Sequence, residues 1–328
     1  MKIAFFGTKN YDNKFFNEVE SPHEITYFKP RLSAETAIMA RGYEAVCVFV
    51  NDDLSKEAID ILNEVGVKYI LLRCAGYNNV DLESTNAYGM KVARVPSYSP
   101  EAVAEHAITL VMAANRRIHK AYNKVRDNDY SLVGLTGLNL YGKTAGIIGT
   151  GKIGVAMIKI CKGFGMNVIA HDPYPNENLE KEVGFAYRPL DEVLSTSDLI
   201  SLHCPLFESN RHLINKDTIA MMKDGVMLVN TSRGGLINTE DLINGIKASK
   251  FHCVALDVYE EENGLVFDDY SDAILEHTIT ARLLSFPNVI LTSHQGFFTN
   301  EALEAIAETT IDNATKLERG EECANIVQ

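Results

Sequence analysis

The sequence predicts an α/β protein of two doubly wound parallel-sheet domains, Rossmann-like and flavodoxin-like, with a cleft between them. Three observations predict it. Short apolar runs alternate with amphipathic stretches along nearly the whole chain, as a parallel sheet with crossover helices requires. The length of 328 residues gives material for two cores. Near the middle, the apolar run Ala145-Gly146-Ile147-Ile148 leads directly into Gly149-Thr150-Gly151-Lys152-Ile153-Gly154, a G-x-G-x-x-G turn, and then into an apolar helical pattern.

In chain order, residues 3–7, 24–28, 45–50, 69–73 and 91–95 read as strands. Residues 10–19, 33–41, 55–65 and 81–88 read as the helices between them, with Ser55 and Glu57 supplying start chemistry for the third. From Ser99-Pro100 an apolar periodicity through Val103, Ala107, Leu110, Val111, Ala114 and Ile118 predicts one long helix over 101–122. A polar, glycine-containing stretch over 127–141 then leads into the glycine turn. Beyond it, strands are expected at 167–172, 199–203, 226–230, 253–256 and 289–291, and helices at 189–194, 216–222 and 239–248. The amphipathic helix over 300–319 has no strand after it in the nucleotide half, so it is expected to return to the first domain. The domains are therefore expected at 1–100 plus 299–328, and at 101–298.

Bulk composition narrows the class. A net charge of −13 argues against nucleic acid or an anionic membrane as partner. No apolar run approaches the roughly 20 residues needed to span a bilayer. Six cysteines without a C-x-x-C pair suit reduced cytoplasmic thiols better than a disulfide or metal framework, and no metal site is expected.

Each glycine of the turn has a mechanical role in binding a dinucleotide. Gly149 permits the tight turn, Gly151 lets the backbone approach a pyrophosphate, and Gly154 lets the helix pack close to the strand. The helix N-terminus adds free N–H groups and a positive dipole end. Asp172, 23 residues beyond Gly149, ends the next strand where a carboxylate would bind a ribose 2′-hydroxyl. No arginine follows it to receive a 2′-phosphate, so NAD is expected rather than NADP. Gly146 with Gly151-Lys152 also mimics a phosphate loop, but Ile153 stands where a magnesium-binding hydroxyl is required.

Ligands of open α/β sheets lie outside the carboxyl ends of the strands. Three further strand ends carry Thr231-Ser232-Arg233-Gly234, Asp257-Val258-Tyr259-Glu260-Glu261-Glu262 and Thr292-Ser293-His294-Gln295-Gly296. Taken singly, each is commonly a solvated loop. Together they suit reduction of a 2-keto acid: an arginine to grip the carboxylate by two parallel hydrogen bonds, and a histidine titrating near neutrality to pass a proton. A carboxylate beside the histidine would orient the imidazole. Cys204 follows a strand, but the pattern supplies no activating base beside it.

These runs, with Arg73-Cys74-Ala75-Gly76-Tyr77-Asn78-Asn79, Val95-Pro96-Ser97-Tyr98-Ser99-Pro100 and His294-Gln295-Gly296-Phe297-Phe298-Thr299, resemble the D-2-hydroxyacid dehydrogenases over nearly the whole chain, most closely the lactate branch of fermentative bacteria. The resemblance implies NAD-dependent reduction of pyruvate to D-lactate, with Arg233 binding the substrate carboxylate and His294 as acid/base. Glu262 would pair with His294; Glu260 and Glu261 would not. Backbone at Ala75 and Gly76 would hold the carboxylate, and Tyr98 and Phe297 would wall a methyl-sized pocket. Gly149, Gly151, Lys152, Ile153, Gly154, Asp172, Cys204, Pro205, Asn210, Thr231, Ser232 and Asp257 would line the NAD site. A small 2-keto or 2-hydroxy acid is the expected substrate, with self-association as a homodimer or homotetramer. The rivals are a relative acting on glyoxylate or a bulkier or phosphorylated 2-keto acid, for which Arg73 and Arg94 leave room, and a non-catalytic NAD sensor. Ser97 and Gly296 stand where the family commonly has alanine, and Lys152 where arginine or histidine is frequent.

Overall fold

The computed structural model describes residues 1–262, 265–267, 269–272 and 278–327. Gln328, the last residue expected in the first domain, lies outside them. The chain forms two compact units, one of Met1–Ser99 with Phe298–Gln328 and one of Pro100–Phe297.

The first unit opens with β1 (Lys2–Phe5), α1 (Asn10–Glu18), β2 (Glu24–Tyr27), β3 (Ala45–Val48), α2 (Lys56–Glu64), β4 (Tyr69–Leu72), α3 (Leu82–Ala87) and β5 (Lys91–Arg94). Strands β3 and β4 are almost wholly buried, so their apolar runs lack alternation, as strands covered on both faces do. Helix α2 turns Ala58, Ile59 and Leu62 inward. The helix expected over 33–41 is only a 3-10 turn, Ala37–Ala40. Its start is diverted by local side-chain bonding: Thr36 Oγ1 accepts from Ser33 N at 2.8 Å and donates to Arg31 O at 2.7 Å.

The second unit contains α4 (Pro100–Asn115), α5 (Ile118–Arg126), β6 (Thr144–Ile148), α6 (Lys152–Gly163), β7 (Asn167–His171), α7 (Glu177–Val183), β8 (Ala186–Tyr187), α8 (Leu190–Thr196), β9 (Leu199–Leu202), α9 (Lys216–Met221), β10 (Val226–Asn230), α10 (Thr239–Lys247), β11 (Phe251–Leu256), α11 (Thr278–Leu284) and β12 (Val289–Leu291). Here the expected single helix over 101–122 is two. Asn115, fully buried, donates Nδ2 to Leu138 O and accepts from Leu138 N, each at 2.8 Å, and Arg117 turns left-handed at φ 53°. A residue so engaged holds the chain to the 137–138 loop, and the helix cannot run through it. Helices α7 and α11 and strand β8 are elements the periodicity did not reveal.

The seven strands order as β12-β11-β10-β9-β6-β7-β8, all parallel, a doubly wound sheet whose order reverses beside β6. Alternate residues of each strand enter opposite cores. Ala145, Ile147, Leu199, Met227, Val229, Cys253 and Ala255 pack with α4 and α6. Ile148, Ile200, Leu202, Leu228, Val254 and Leu256 pack with α8, α9 and α10.

The chain ends in the first unit with α12 (Asn300–Arg319) and β13 (Ile326–Val327). Thr299 caps α12 by accepting from Ala302 N at 3.2 Å, and Gly320, left-handed at φ 67°, ends it. Its buried stripe, Ala302, Leu303, Ile306, Ala307, Thr310, Ile311, Ala314 and Leu317, has the spacing of one helical face. Strand β13 pairs antiparallel with β5, giving the order β13-β5-β4-β3-β1-β2.

Candidate active site

The turn between β6 and α6 is built around its glycines. Gly149 has φ 95°, and a Cβ there would lie 2.7 Å from Cys204 N; at Gly154 a Cβ would lie 2.0 Å from Gly149 O. Both positions exclude any side chain because backbone occupies its space. Gly151, the N-cap of α6, differs: a Cβ there would meet nothing within 4 Å. No packing demand explains that glycine. An open approach to the N–H groups of a helix N-terminus is what a pyrophosphate needs, so the residues present fit a dinucleotide. Lys152 and Ile153 form the first turn of α6.

Asp172 sits just beyond β7 with both oxygens oriented. Oδ2 accepts from Thr150 N at 2.7 Å and Thr150 Oγ1 at 2.9 Å, and Oδ1 accepts from Tyr174 N at 2.9 Å. Tyr187 closes the set through its hydroxyl, 2.9 Å from Thr150 Oγ1. Partial burial pushes the carboxyl up, but these hydrogen bonds outweigh it and hold the group below the ordinary range, as an anion.

Cys204-Pro205 follows β9. Burial pushes the Cys204 thiol up to about 11, which removes it as a nucleophile at neutral pH. Its carbonyl accepts from Ser232 Oγ, joining the loops after β9 and β10. Asn210 turns its amide onto its own loop, donating to Pro205 O at 2.8 Å and accepting from Phe207 N at 2.7 Å. Neighbouring His203 bonds Ser201 Oγ at 2.7 Å, and burial lowers its imidazole to about 4. Thr231 Oγ1 is buried and has no hydrogen-bond partner among the described residues. Arg233 is the third residue after β10, with its carbonyl accepting from Asn230 Nδ2 at 2.9 Å and Nη1 donating to Ser232 O at 2.7 Å.

His294 follows β12 in a left-handed conformation, φ 50°. Such a backbone persists in a non-glycine residue only where its surroundings impose it, and here Asp257 does so. The Asp257 carbonyl accepts from His294 N at 2.9 Å; its carboxylate accepts from Gln295 N at 2.9 Å, Gly296 N at 2.8 Å and Thr292 Oγ1 at 2.5 Å. His106 Nε2 lies 3.1 Å from the same carboxylate. Burial raises this carboxyl, but the bonds from His106 and Thr292 prevail and hold it below the usual range. A Cβ at Gly296 would come 3.1 Å from Asp257 Oδ2, so an alanine there would press on this network.

So held, His294 Nδ1 lies 3.3 Å from Glu262 Oε1, both side chains four-fifths or more shielded. The other two acids of the cluster do not make this contact; Glu260 Oε1 instead bonds His212 Nε2 at 2.6 Å. Phe267, left-handed at φ 69°, packs 6.3 Å from the His294 ring and 6.2 Å from Phe297. Sequence reasoning passed over Phe267 and Tyr187, and gave no role to Thr150, Thr292 and His106, although these lie in runs that carry the glycine turn, a strand end and the family resemblance. For Phe267, Tyr187 and His106 only nearness in space makes the connection, and no spacing encodes it.

In the first unit, Ala75 and Gly76 follow β4. Ala75 O accepts from Arg94 Nη1 at 2.8 Å, and the Arg94 guanidinium lies 5.2 Å from the centre of the Tyr77 ring. Asn79 Nδ2 ties the same loop to Phe49 O and Asp52 O at 3.1 and 2.9 Å. Arg73 is only 3% exposed, 3.4 Å from Asp12 Oδ1 and over the rings of Phe5 and Phe49. Arg73 is thus buried and paired with Asp12, with its Nη1 lacking a hydrogen-bond partner among the described residues, and Arg94 gives Nη1 to the loop. Tyr98 is half-buried beyond β5.

A glycine turn at a helix N-terminus, an oriented carboxylate after β7 and an imidazole–carboxylate pair lie on one rim of a doubly wound sheet, an arrangement that suits a nicotinamide-dependent oxidoreductase. Comparison with known proteins gives the family. Residues 108–296 match the model described as D-isomer specific 2-hydroxyacid dehydrogenase, NAD binding domain. The chain is 51% identical over 327 residues to D-lactate dehydrogenase of Escherichia coli (strain K12), covering 99% of each. It superposes on the apo-structure of D-lactate dehydrogenase from Escherichia coli with a TM-score of 0.91 at 49% identity, covering all of both chains. The pyruvate reductase of Chlamydomonas reinhardtii matches with a TM-score of 0.93 at 41% identity, over 99% of this chain and 98% of that one. The protein belongs to the D-isomer specific 2-hydroxyacid dehydrogenases, oxidoreductases that use NAD.

Among the described residues no group of three or more His, Cys, Asp or Glu side chains could hold a metal ion, and no helix is long and apolar enough to cross a membrane.

Proposed function

We propose that the protein reduces pyruvate to D-lactate with NADH, in the cytoplasm and as a homo-oligomer. The observation that carries the reaction is the His294–Glu262 pair at 3.3 Å, on the same sheet rim as Arg233 and the Gly149–Gly154 turn. Names of relatives supply the substrate: an Escherichia coli D-lactate dehydrogenase and a pyruvate reductase. Arg73, buried beside Asp12, is withdrawn from any phosphate, which favours a small carboxylate over a phosphorylated acid.

Bound NADH supplies the hydride. Arg233 grips the substrate carboxylate by two parallel bonds and turns the carbonyl toward the imidazole. His294 keeps one proton on Nδ1, toward Glu262, and gives the Nε2 proton to the oxygen as it becomes an alkoxide. The Glu262 carboxylate accepts from Nδ1 and fixes the ring's orientation throughout. The family resemblance assigns further substrate contacts to Ala75, Gly76 and Tyr98 of the first unit and to Phe297 of the second. Glycines 149, 151 and 154 with Lys152, Ile153, Asp172, Cys204, Pro205, Asn210, Thr231, Ser232 and Asp257 form the NAD site. The test is NADH oxidation with pyruvate, glyoxylate and 2-ketoisocaproate, with chiral analysis of the product. Preference for pyruvate and a D product are expected; a higher kcat/KM for either rival acid would overturn the substrate assignment.

Asp172 should set cofactor choice. Its oriented anion binds ribose hydroxyls and repels a 2′-phosphate, and Asp172→Ser removes the charge and one acceptor. The NAD-over-NADP ratio of kcat/KM is expected to fall by about tenfold or more, a difference of at least one charged hydrogen bond. An unchanged ratio would count against the ribose role.

Self-association has its own support. Helix α5 buries no residue, and Ile118, Tyr122 and Val125 form one exposed face on it, with Leu132 and Val133 each 81% exposed nearby in sequence. Apolar groups so disposed are what a second copy would cover. Light scattering should give a dimer or tetramer mass for the wild type and a monomer for Leu132→Asp with Val133→Asp. A monomeric wild type would refute this.

The cytoplasmic placement rests on the cysteines: all six are free thiols, and five of them are buried.

A further inference from the structure

We propose that Glu260 is a positioning residue, tying together the loops after β9, β10 and β11 so that Arg233 and the Glu262–His294 pair are held in register. This rests on the reaction assigned above. Glu260 belongs to the acidic run, yet its carboxylate bonds His212 and Thr239.

Its carboxylate collects donors from two other loops. Oε1 receives His212 Nε2 at 2.6 Å, with Arg211 Nη2 at 3.8 Å; Oε2 receives Thr239 N at 3.0 Å and Thr239 Oγ1 at 2.8 Å. His212 stands in the loop after β9, and Thr239 opens α10, just after the loop that carries Arg233. Both oxygens are taken up by the protein, so Glu260 has no direct part in the chemistry.

The backbone is interlocked at the same place. A Cβ on Gly234, the residue after Arg233, would lie 2.4 Å from Tyr259 O and 2.7 Å from Glu260 N. The loops after β10 and β11 therefore touch main chain to main chain. His212 N donates to Gly235 O at 2.8 Å, and Ile214 pairs with Ile237 in an isolated parallel bridge. Glu262 N in turn donates to Tyr259 O at 3.2 Å, so the turn that Glu260 fixes is the one that presents Glu262.

His212 carries the mark of this arrangement. It is left-handed at φ 54°, a conformation that disfavours a side chain with a Cβ unless neighbours impose it. An exposed ion pair alone would contribute little; a carboxylate bonded by a main-chain N–H, a hydroxyl and an imidazole from two separate loops is a structural tie. Burial raises the Glu260 carboxyl, but the bonds from His212 and Thr239 outweigh it and hold it below its ordinary value.

The test compares Glu260→Ala, Glu260→Gln and His212→Asn in the full-length protein. Steady-state kinetics with pyruvate are measured alongside NADH binding by fluorescence. Glutamine keeps the acceptor for Thr239 N and, with the His212 ring proton moved to Nδ1 and the Asn238 amide turned to accept it, donates to Nε2, whereas alanine does neither; asparagine tolerates the left-handed backbone but cannot reach Glu260. Glu260→Ala and His212→Asn are expected to lower kcat/KM for pyruvate by about 10–100-fold, the scale of a misplaced catalytic group. NADH binding should stay near wild type, and Glu260→Gln should recover most of the loss. Wild-type kcat/KM in both Glu260→Ala and His212→Asn would overturn the proposal. So would glutamine as impaired as alanine, or NADH affinity falling in step with kcat/KM. Wild-type turnover of pyruvate checks the underlying reaction separately: if it is absent, the functional assignment fails before the tie is judged.

Discussion

His294→Gln is expected to lower kcat for pyruvate reduction by about 10²–10⁴-fold, the range for losing a general acid, while NADH still binds. Glutamine keeps a hydrogen-bonding head of similar reach but cannot deliver a proton to an alkoxide. The left-handed backbone at 294 needs a control, since φ 50° suits histidine and asparagine better than glutamine. His294→Asn meets the backbone demand and still lacks a transferable proton. Both variants should lose activity to a similar degree, with unfolding midpoints near wild type. Near-normal kcat in either would remove His294 from the chemistry.

Arg233→Lys is expected to reduce kcat/KM for pyruvate by about 10–100-fold, the worth of one to two charged hydrogen bonds. A lysine retains the charge but offers a point donor where the planar fork made two parallel bonds. NADH binding should barely change, because the loop holds its shape through Asn230 Nδ2 on the residue's own carbonyl, which the substitution preserves. Equal losses for substrate and cofactor would assign Arg233 to the dinucleotide instead.

The glycine turn and Asp172 were legible because each position answers a backbone or charge requirement that few residue types meet. Arg233, the Glu260–Glu262 run and His294 could be grouped by topology, since parallel strands put their carboxyl ends on one rim; the choice of Glu262 within the run came from the family resemblance, and it is the acid 3.3 Å from His294. What stayed hidden lacks any period. Apolar spacing continues through Ile118, and only the burial of Asn115 against Leu138 reveals why the helix stops there. Thr36 diverts a helix by hydrogen bonds its sequence context does not announce. Phe267 reaches His294 from an aperiodic segment, and Glu260 finds His212 from 48 residues away.

The seating of α12 against β4 and β5, and of β13 on β5, has a consequence for biosynthesis. Strands β1 to β5 leave the ribosome early, yet the helix that covers them and the ribbon that closes their edge come only after Pro100–Phe297 has been made. Domains usually mature from the N-terminus during translation. In this chain the nucleotide-binding unit, though second in order, is the first able to finish, and the unit begun earliest is completed last.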